Sequence, residues 1–246
     1  MPYALELALV AVWCFVVALA GGAVGLVLGN IRLPALLLVA SSPAAGAGAN
    51  IGISGVAAAT AGLVHARARR VDWRLFAWLT PPSIVGAVAG GYLSGALPQD
   101  LLLGLIGGLL LAMAVDLVRP PRVGRRERLR PAELVALGGL IGVLGGVVGL
   151  ILGSLRLPTL LRFGEPLTLA VGTNMAVGFF VGAAGVFGHL PGGVDWALLG
   201  VGAAASVPGA LAGARLTGRL PERRLKHAIA AVLLVAGSVA IAEAVA

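Results

Sequence analysis

The sequence predicts an all-α fold: a polytopic membrane protein of two inverted-topology repeats with re-entrant broken helices. Composition supplies the class. Of the 246 residues 59% are hydrophobic and 11% charged, with a mean hydropathy of +1.02, whereas a soluble chain of this length needs far more polar surface. Span length supplies the helices, because apolar stretches of about 20 residues, enough to cross a bilayer core, recur along the chain. Internal repetition supplies the two halves. "GGAVGLVLGNIRLPALL" (Gly21–Leu37) returns as "GGVVGLILGSLRLPTLL" (Gly145–Leu161), with 12 of 17 positions identical at an offset of 124.

The first span is Leu5–Leu28. It contains Cys14, the one cysteine, so neither an intramolecular disulfide nor a thiolate metal site can form. The start "MPYALEL" lacks the basic stretch of a signal peptide, and the span is expected to stay in the mature protein. Residues 33–64 are too many for one straight span and too few for two, and "SSPAAGAGAN" (Ser41–Asn50) interrupts them. A re-entrant pair of half-helices is predicted there. Leu75–Leu97 and Leu101–Val118 complete the first half. The second half opens with Leu134–Leu152 and repeats the interrupted segment over 157–188, around "RFGEPLTLAVGTN" (Arg162–Asn174). It ends with Ala197–Leu211 and Leu225–Val245. Asn50 pairs with Asn174 and His65 with His189, and "VDW" occurs at Val71–Trp73 and at Val194–Trp196. "SIVGAVAG" (Ser83–Gly90) matches "SVPGALAG" (Ser206–Gly213). The expected organisation is a first transmembrane repeat at 1–120, a basic linker at 121–130 and a second repeat at 131–246.

Loop charges orient the halves. "RPPRVGRRERLRP" (Arg119–Pro131) holds six arginines against one glutamate, and "HARARRVDWR" (His65–Arg74) holds four arginines. Both read as cytoplasmic, while "LPQD" (Leu97–Asp100), with no base, reads as external. In the second half the signs exchange. "HLPGGVDW" (His189–Trp196) has no Lys or Arg, whereas Arg215–Lys226 carries five bases. Equivalent loops then fall on opposite faces, the pattern of an inverted repeat in a cell (inner) membrane. These loops also account for the net charge of +8, so the bilayer is the expected partner and nucleic acid is not.

Irregular backbone at membrane depth survives only inside protein or beside water, so the two interruptions should meet near the bilayer centre and bind the substrate. "AGAN" (Ala47–Asn50) and "GTN" (Gly172–Asn174) are expected to open the half-helices, whose amino termini offer free N–H groups to an anion. Asn50, Gly172, Thr173 and Asn174 are the expected donors, with the hydroxyls of Ser41, Ser42 and Thr168 alongside. Gly29 and Gly153 border the interruptions. Arg32 and Arg156, one per half, are expected at opposite mouths of the site, since a guanidinium grips an oxyanion through two parallel hydrogen bonds. Glycines four apart (Gly21, Gly25, Gly29; Gly145, Gly149, Gly153; Gly86, Gly90; Gly209, Gly213) predict close helix packing and offer faces to a homodimer. His65 and His189 read as helix-terminal, Asp72 and Asp195 as helix caps, and Trp73 and Trp196 as interface anchors. Glu165 and Asp116 are the acids nearest membrane depth, with Glu165 expected either to pair with Arg162 or to gate the external mouth. No clustered metal ligands, Ser/His/Asp arrangement or phosphate loop occurs, so no metal, cofactor, ATP drive or enzymatic activity is expected.

The doubled "GGxVGLxLGxxRLPxLL", together with "GEPLTLAVGTNM" (Gly164–Met175), "GHLPGGVDWALL" (Gly188–Leu199) and "GARLTGRLPERRL" (Gly213–Leu225), resembles the TauE/SafE-type sulfite exporter family over essentially the whole chain. The resemblance implies a secondary transporter of small sulfur-containing anions such as sulfite or organosulfonates, often directed outward. Many members carry a glycine triplet after the first span and a Gly-Thr-Ser motif further on. This chain has Leu28-Gly29-Asn30, Leu152-Gly153-Ser154 and Gly172-Thr173-Asn174 at those places. A coupling proton or other ion fits such a transporter, although no buried acid–base pair identifies one. The competing expectation is a membrane scaffold or assembly subunit without transport of its own.

Overall fold

A computed structural model describes residues 3–93, 130–217 and 221–245, with separate positions between 100 and 115. The "LPQD" loop before residue 100, most of the span Leu101–Val118, Asp116 and the linker through 129 lie outside the described residues. The described chain is helical: α1 (Tyr3–Val24), α2 (Gly29–Leu37), α3 (Pro43–Arg67), α4 (Trp73–Tyr92), α5 (Pro131–Val148), α6 (Gly153–Arg162), α7 (Leu167–His189), α8 (Trp196–Thr217) and α9 (Glu222–Val245). Five of these, α1, α3, α5, α7 and α8, are long and apolar enough to cross a membrane. Large apolar side chains such as Val12, Val85, Leu140 and Phe187 point outward, as lipid-facing helices require.

The interruption falls earlier in each half than the sequence suggests. α1 ends at Gly25 and α5 at Gly149, both left-handed with φ of 75° and 72°. Leu26 N–H closes on the Gly21 carbonyl at 2.9 Å and Leu150 N–H on the Gly145 carbonyl at 2.8 Å, a glycine-terminated helix end. Three non-helical residues follow, 26–28 and 150–152, and all six are buried. A short helix then begins, α2 or α6. The expected breaks at 41–50 and 162–174 are instead the turns into the long helices. Ser42 caps α3, its side chain accepting from Ala45 N–H at 3.1 Å, and Pro43 occupies the first turn. Pro166 likewise precedes α7. The alanine–glycine tract after Pro43 is therefore helix. Its glycines admit neighbours: a Cβ at Gly46 would meet Leu37 and Ala40, and one at Gly48 would meet Gly193 and His189. Consequently α3 and α7 are full helices of 25 and 23 residues, not half-helices.

The central contact is between these two equivalent helices. Gly48 faces His189, Gly55 faces Gly182 and Gly62 faces Ala176, so α3 and α7 run antiparallel. A Cβ at Gly55 would lie 3.1 Å from Gly182 Cα, so the backbones all but touch. The outer contacts pair one half with the other. α1 runs parallel to α8, with Gly22 against Gly213, and α4 runs parallel to α5, with Gly90 against Gly146. Hydroxyls repeat the relation: Ser83 donates to the Gly138 carbonyl at 3.1 Å and Ser206 to the Cys14 carbonyl at 3.5 Å. The small-residue faces that sequence spacing offers to a second copy are thus used inside the chain. Gly25, Gly29, Gly149 and Gly153 do not belong to those faces, because the helix has ended before them.

Candidate functional site

The short helices place the arginines. Gly29 and Gly153 start α2 and α6 where polar side chains of the neighbouring long helix come close, Ser54 and Asn50 of α3 at Gly29 and Asn174 of α7 at Gly153. A Cβ at Gly29 would stand 2.9 Å from Ser54 Oγ, and one at Gly153 would stand 2.9 Å from Asn174 Nδ2. One turn further on lie Arg32 and Arg156, 1% and 0% exposed. Arg32 Nε donates to Asn50 Oδ1 at 3.0 Å, and its Nη2 donates to the Asn50 carbonyl at 2.9 Å and to Ser54 Oγ. Arg156 Nη1 donates to Asn174 Oδ1 at 3.3 Å, while its Nε and Nη2 have no hydrogen-bond partner among the described residues.

Each asparagine then reaches across to the opposite half. Asn50 Nδ2 donates to the Gly149 carbonyl at 3.4 Å, and Asn174 Nδ2 donates to the Gly25 carbonyl at 3.0 Å. These carbonyls are the ones freed where α1 and α5 stop. In a water-free interior such groups need donors, and an amide can accept from a guanidinium and donate to a carbonyl at once. The result is two equivalent relays, Arg32–Asn50–Gly149 and Arg156–Asn174–Gly25. Among the described residues no aspartate or glutamate is buried, so neither guanidinium has an internal carboxylate there to balance it.

Arg32 and Arg156 therefore do not stand at mouths: the helix that begins at Gly29 or Gly153 turns them inward, onto the long helices. Asn50 and Asn174 do take part, but through their side chains. They lie inside α3 and α7, as do Gly172 and Thr173, and backbone N–H groups there serve the helix. Gly172 packs beneath the loop after α3, where a Cβ would overlap the Arg70 carbonyl oxygen. Thr173 Oγ1 accepts from Asp72 N–H at 2.9 Å, which ties the same loop down. Ser42 is a helix cap, and Ser41 and Thr168 are exposed. His189 is buried with Nδ1 2.9 Å from the Gly185 carbonyl, and His65 is buried with neither ring nitrogen bonded among the described residues. Asp72 and Asp195 cap α4 and α8, accepting from Leu75 and Leu198 N–H at 3.0 and 3.1 Å. Trp73 and Trp196 are about equally exposed, at 60% and 61%. Glu165 shares a cavity with Asp72, Arg74 and Pro131, which places it at the arginine-rich end and not at the end it was expected to gate.

Two features escape sequence reading. Ser54, the third ligand of Arg32, is one small residue in an apolar run. The carbonyls of Gly25 and Gly149 sit in a spacing that reads as helix packing. The repeat offset held the signal, since it aligns Ser54 with Gly178 and so marks where the two arginine environments differ.

The family model for sulfite exporter TauE/SafE matches residues 10–240. Probable membrane transporter protein YjnA of Bacillus subtilis is 24% identical over 222 residues, covering 83% of this chain and 87% of its own. Probable membrane transporter protein ORF9 of a Sinorhizobium species is 32% identical over 182 residues, covering 70% of this chain and 67% of its own. No solved structure matches the chain. The family match spans nearly the whole sequence, through both arginine relays, and the chain belongs to the sulfite exporter TauE/SafE family of membrane transporters.

Proposed function

We propose that the protein is a secondary transporter exporting small sulfur-containing oxyanions, such as sulfite or organosulfonates, through a central site between two inverted repeats. The carrying observation is the pair of fully buried guanidiniums, neither of them bonded to a carboxylate among the described residues. Removing a cation from water costs several kcal/mol unless charge and hydrogen bonds compensate, and charged groups inside a bilayer mark transport paths by default. Neutral amides and a hydroxyl satisfy N–H geometry at Arg32, but they bring no negative charge. A passing anion brings it.

The antiparallel contact of α3 with its repeat equivalent α7 supports inverted halves, and rocking of one half against the other at the Gly55–Gly182 crossing is the motion that fits. The scaffold alternative gives no role to two uncompensated internal cations. On this reading the protein is a multi-pass protein of the inner membrane with residues 119–131 cytoplasmic. Reporter fusions at residues 124 and 193 should then signal cytoplasmic and external positions respectively, and a cytoplasmic signal at 193 would overturn the inverted arrangement. For transport, proteoliposomes holding the purified protein should release radiolabelled sulfite or a sulfonate faster than protein-free vesicles, and Arg156→Ala should remove the difference. Equal release from both kinds of vesicle sinks the proposal.

A further inference from the structure

We infer that one arginine, Arg156, holds the anion, through its Nε–Nη2 edge, and that Gly178 is the residue that leaves this edge open. The inference rests on the transport reading and assigns its ligand within it. The two relays differ in one respect that bears on binding. Arg32 has its Nε–Nη2 edge closed by Asn50 Oδ1, the Asn50 carbonyl and Ser54 Oγ. Arg156 is rotated so that Nη1 meets Asn174 Oδ1, and its Nε and Nη2 are buried without partners among the described residues.

The cause is legible in the repeat. At the offset of 124, the position of Ser54 is held by Gly178, so the hydroxyl that closes the first guanidinium does not exist in the second. The closest neighbours of Gly178 are apolar: the three atoms nearest to a Cβ there would belong to Ala58, at 3.2 Å, and to Ile151 and Val27, both at 3.7 Å. The open edge is the one with two parallel N–H groups, matched to two oxygens of one oxyanion. A buried donor pair left unmade is costly, so in the transport cycle this edge has a strong preference for the anion-bound state.

Charge narrows the ligand further. In the antiparallel register of α3 and α7, the two arginine relays sit roughly 15–20 Å apart along the helix axes. A single guanidinium therefore faces the anion, and a monovalent head, a sulfonate or hydrogen sulfite, is balanced by it. Sulfate would bring a second charge into a site that offers it no cation.

The test is anion-dependent thermal stabilisation of the purified full-length protein, titrated with methanesulfonate and with sulfate. Wild-type protein should respond to methanesulfonate at lower concentration than to sulfate. Arg156→Lys keeps a charge but loses the paired donors, and Gly178→Ser supplies the hydroxyl that Ser54 supplies to Arg32. Each should raise the half-saturating methanesulfonate concentration about ten-fold or more, the scale of one charge-assisted hydrogen bond. Gly178→Ala adds the same Cβ without the hydroxyl, so the serine variant should be the weaker binder of the two. If Gly178→Ser does not fold, Arg156→Lys still decides. A wild-type response left unaltered by Arg156→Lys, or lost in Arg32→Lys instead, overturns the assignment while transport stands. Sulfate acting at lower concentration than methanesulfonate also overturns it. No response to either anion, with no flux in vesicles, removes the transport reading itself.

Discussion

Gly172→Ala should be the most destabilising single-methyl change in the protein. The added Cβ would overlap the Arg70 carbonyl oxygen and press on His65 Cβ, 3.1 Å away. The obstacle is backbone, held by Arg70 N–H bonding the His65 carbonyl at 2.8 Å and by Asp72 N–H bonding Thr173. No rotamer change relieves it. Overpacking of this kind costs roughly 3 kcal/mol or more when a turn must move. The expected result is a large loss of folded protein in detergent, read as a lowered melting temperature by fluorescence-detected size exclusion. Gly200→Ala is the matched control, since a Cβ there meets nothing within 4 Å in α8. It should raise stability by about 0.5–1 kcal/mol through helix propensity. Equal effects of the two changes would refute this account of Gly172.

Asn174→Ala should follow closely. It removes the acceptor that Arg156 Nη1 uses, Asn174 Oδ1 at 3.3 Å, and the donor to the Gly25 carbonyl at 3.0 Å. A buried guanidinium and a buried carbonyl are left unsatisfied together, for a combined cost of about 3–5 kcal/mol. Asn50→Ala should cost less, roughly 1–3 kcal/mol, because Arg32 keeps the backbone carbonyl of residue 50 and Ser54 Oγ. Thermal melts of the two variants in one detergent compare them directly. An asparagine pair with equal costs would mean that the two relays are not held as their hydrogen bonds indicate.

Much of this architecture is legible in the amino-acid order alone. Apolar length marks the helices, and the repeated "VDW" marks two caps that the structure places as expected. The arginines and asparagines are recognisable because a polar residue recurring at the same place in two apolar halves has few reasons to be there. Sequence reading misplaces the interruption for a physical reason. "SSPAAGAGAN" is rich in helix-disfavouring glycine, yet Pro43 and Ser42 start a helix whose glycines are accommodated by close neighbours. "AVGLVL" (Ala23–Leu28), without a polar side chain, hides a left-handed Gly25 that ends one. Hydropathy does not register φ. Nor does it show that Thr173 faces a loop and Asn174 a guanidinium, since that depends on helix phase against partners far away in sequence.

The two asparagine ties also set an order of assembly. Asn50 leaves the ribosome 99 residues before the carbonyl it will hold, that of Gly149, and the Gly25 carbonyl waits 149 residues for Asn174. Until the second half arrives, the first carries an exposed helix end and an amide without its acceptor, in lipid or beside it. A chain cut at the linker should therefore yield two fragments that are each short-lived when made alone. Made together in one cell, they should rescue one another, each supplying the hydrogen bond that the other has been holding open.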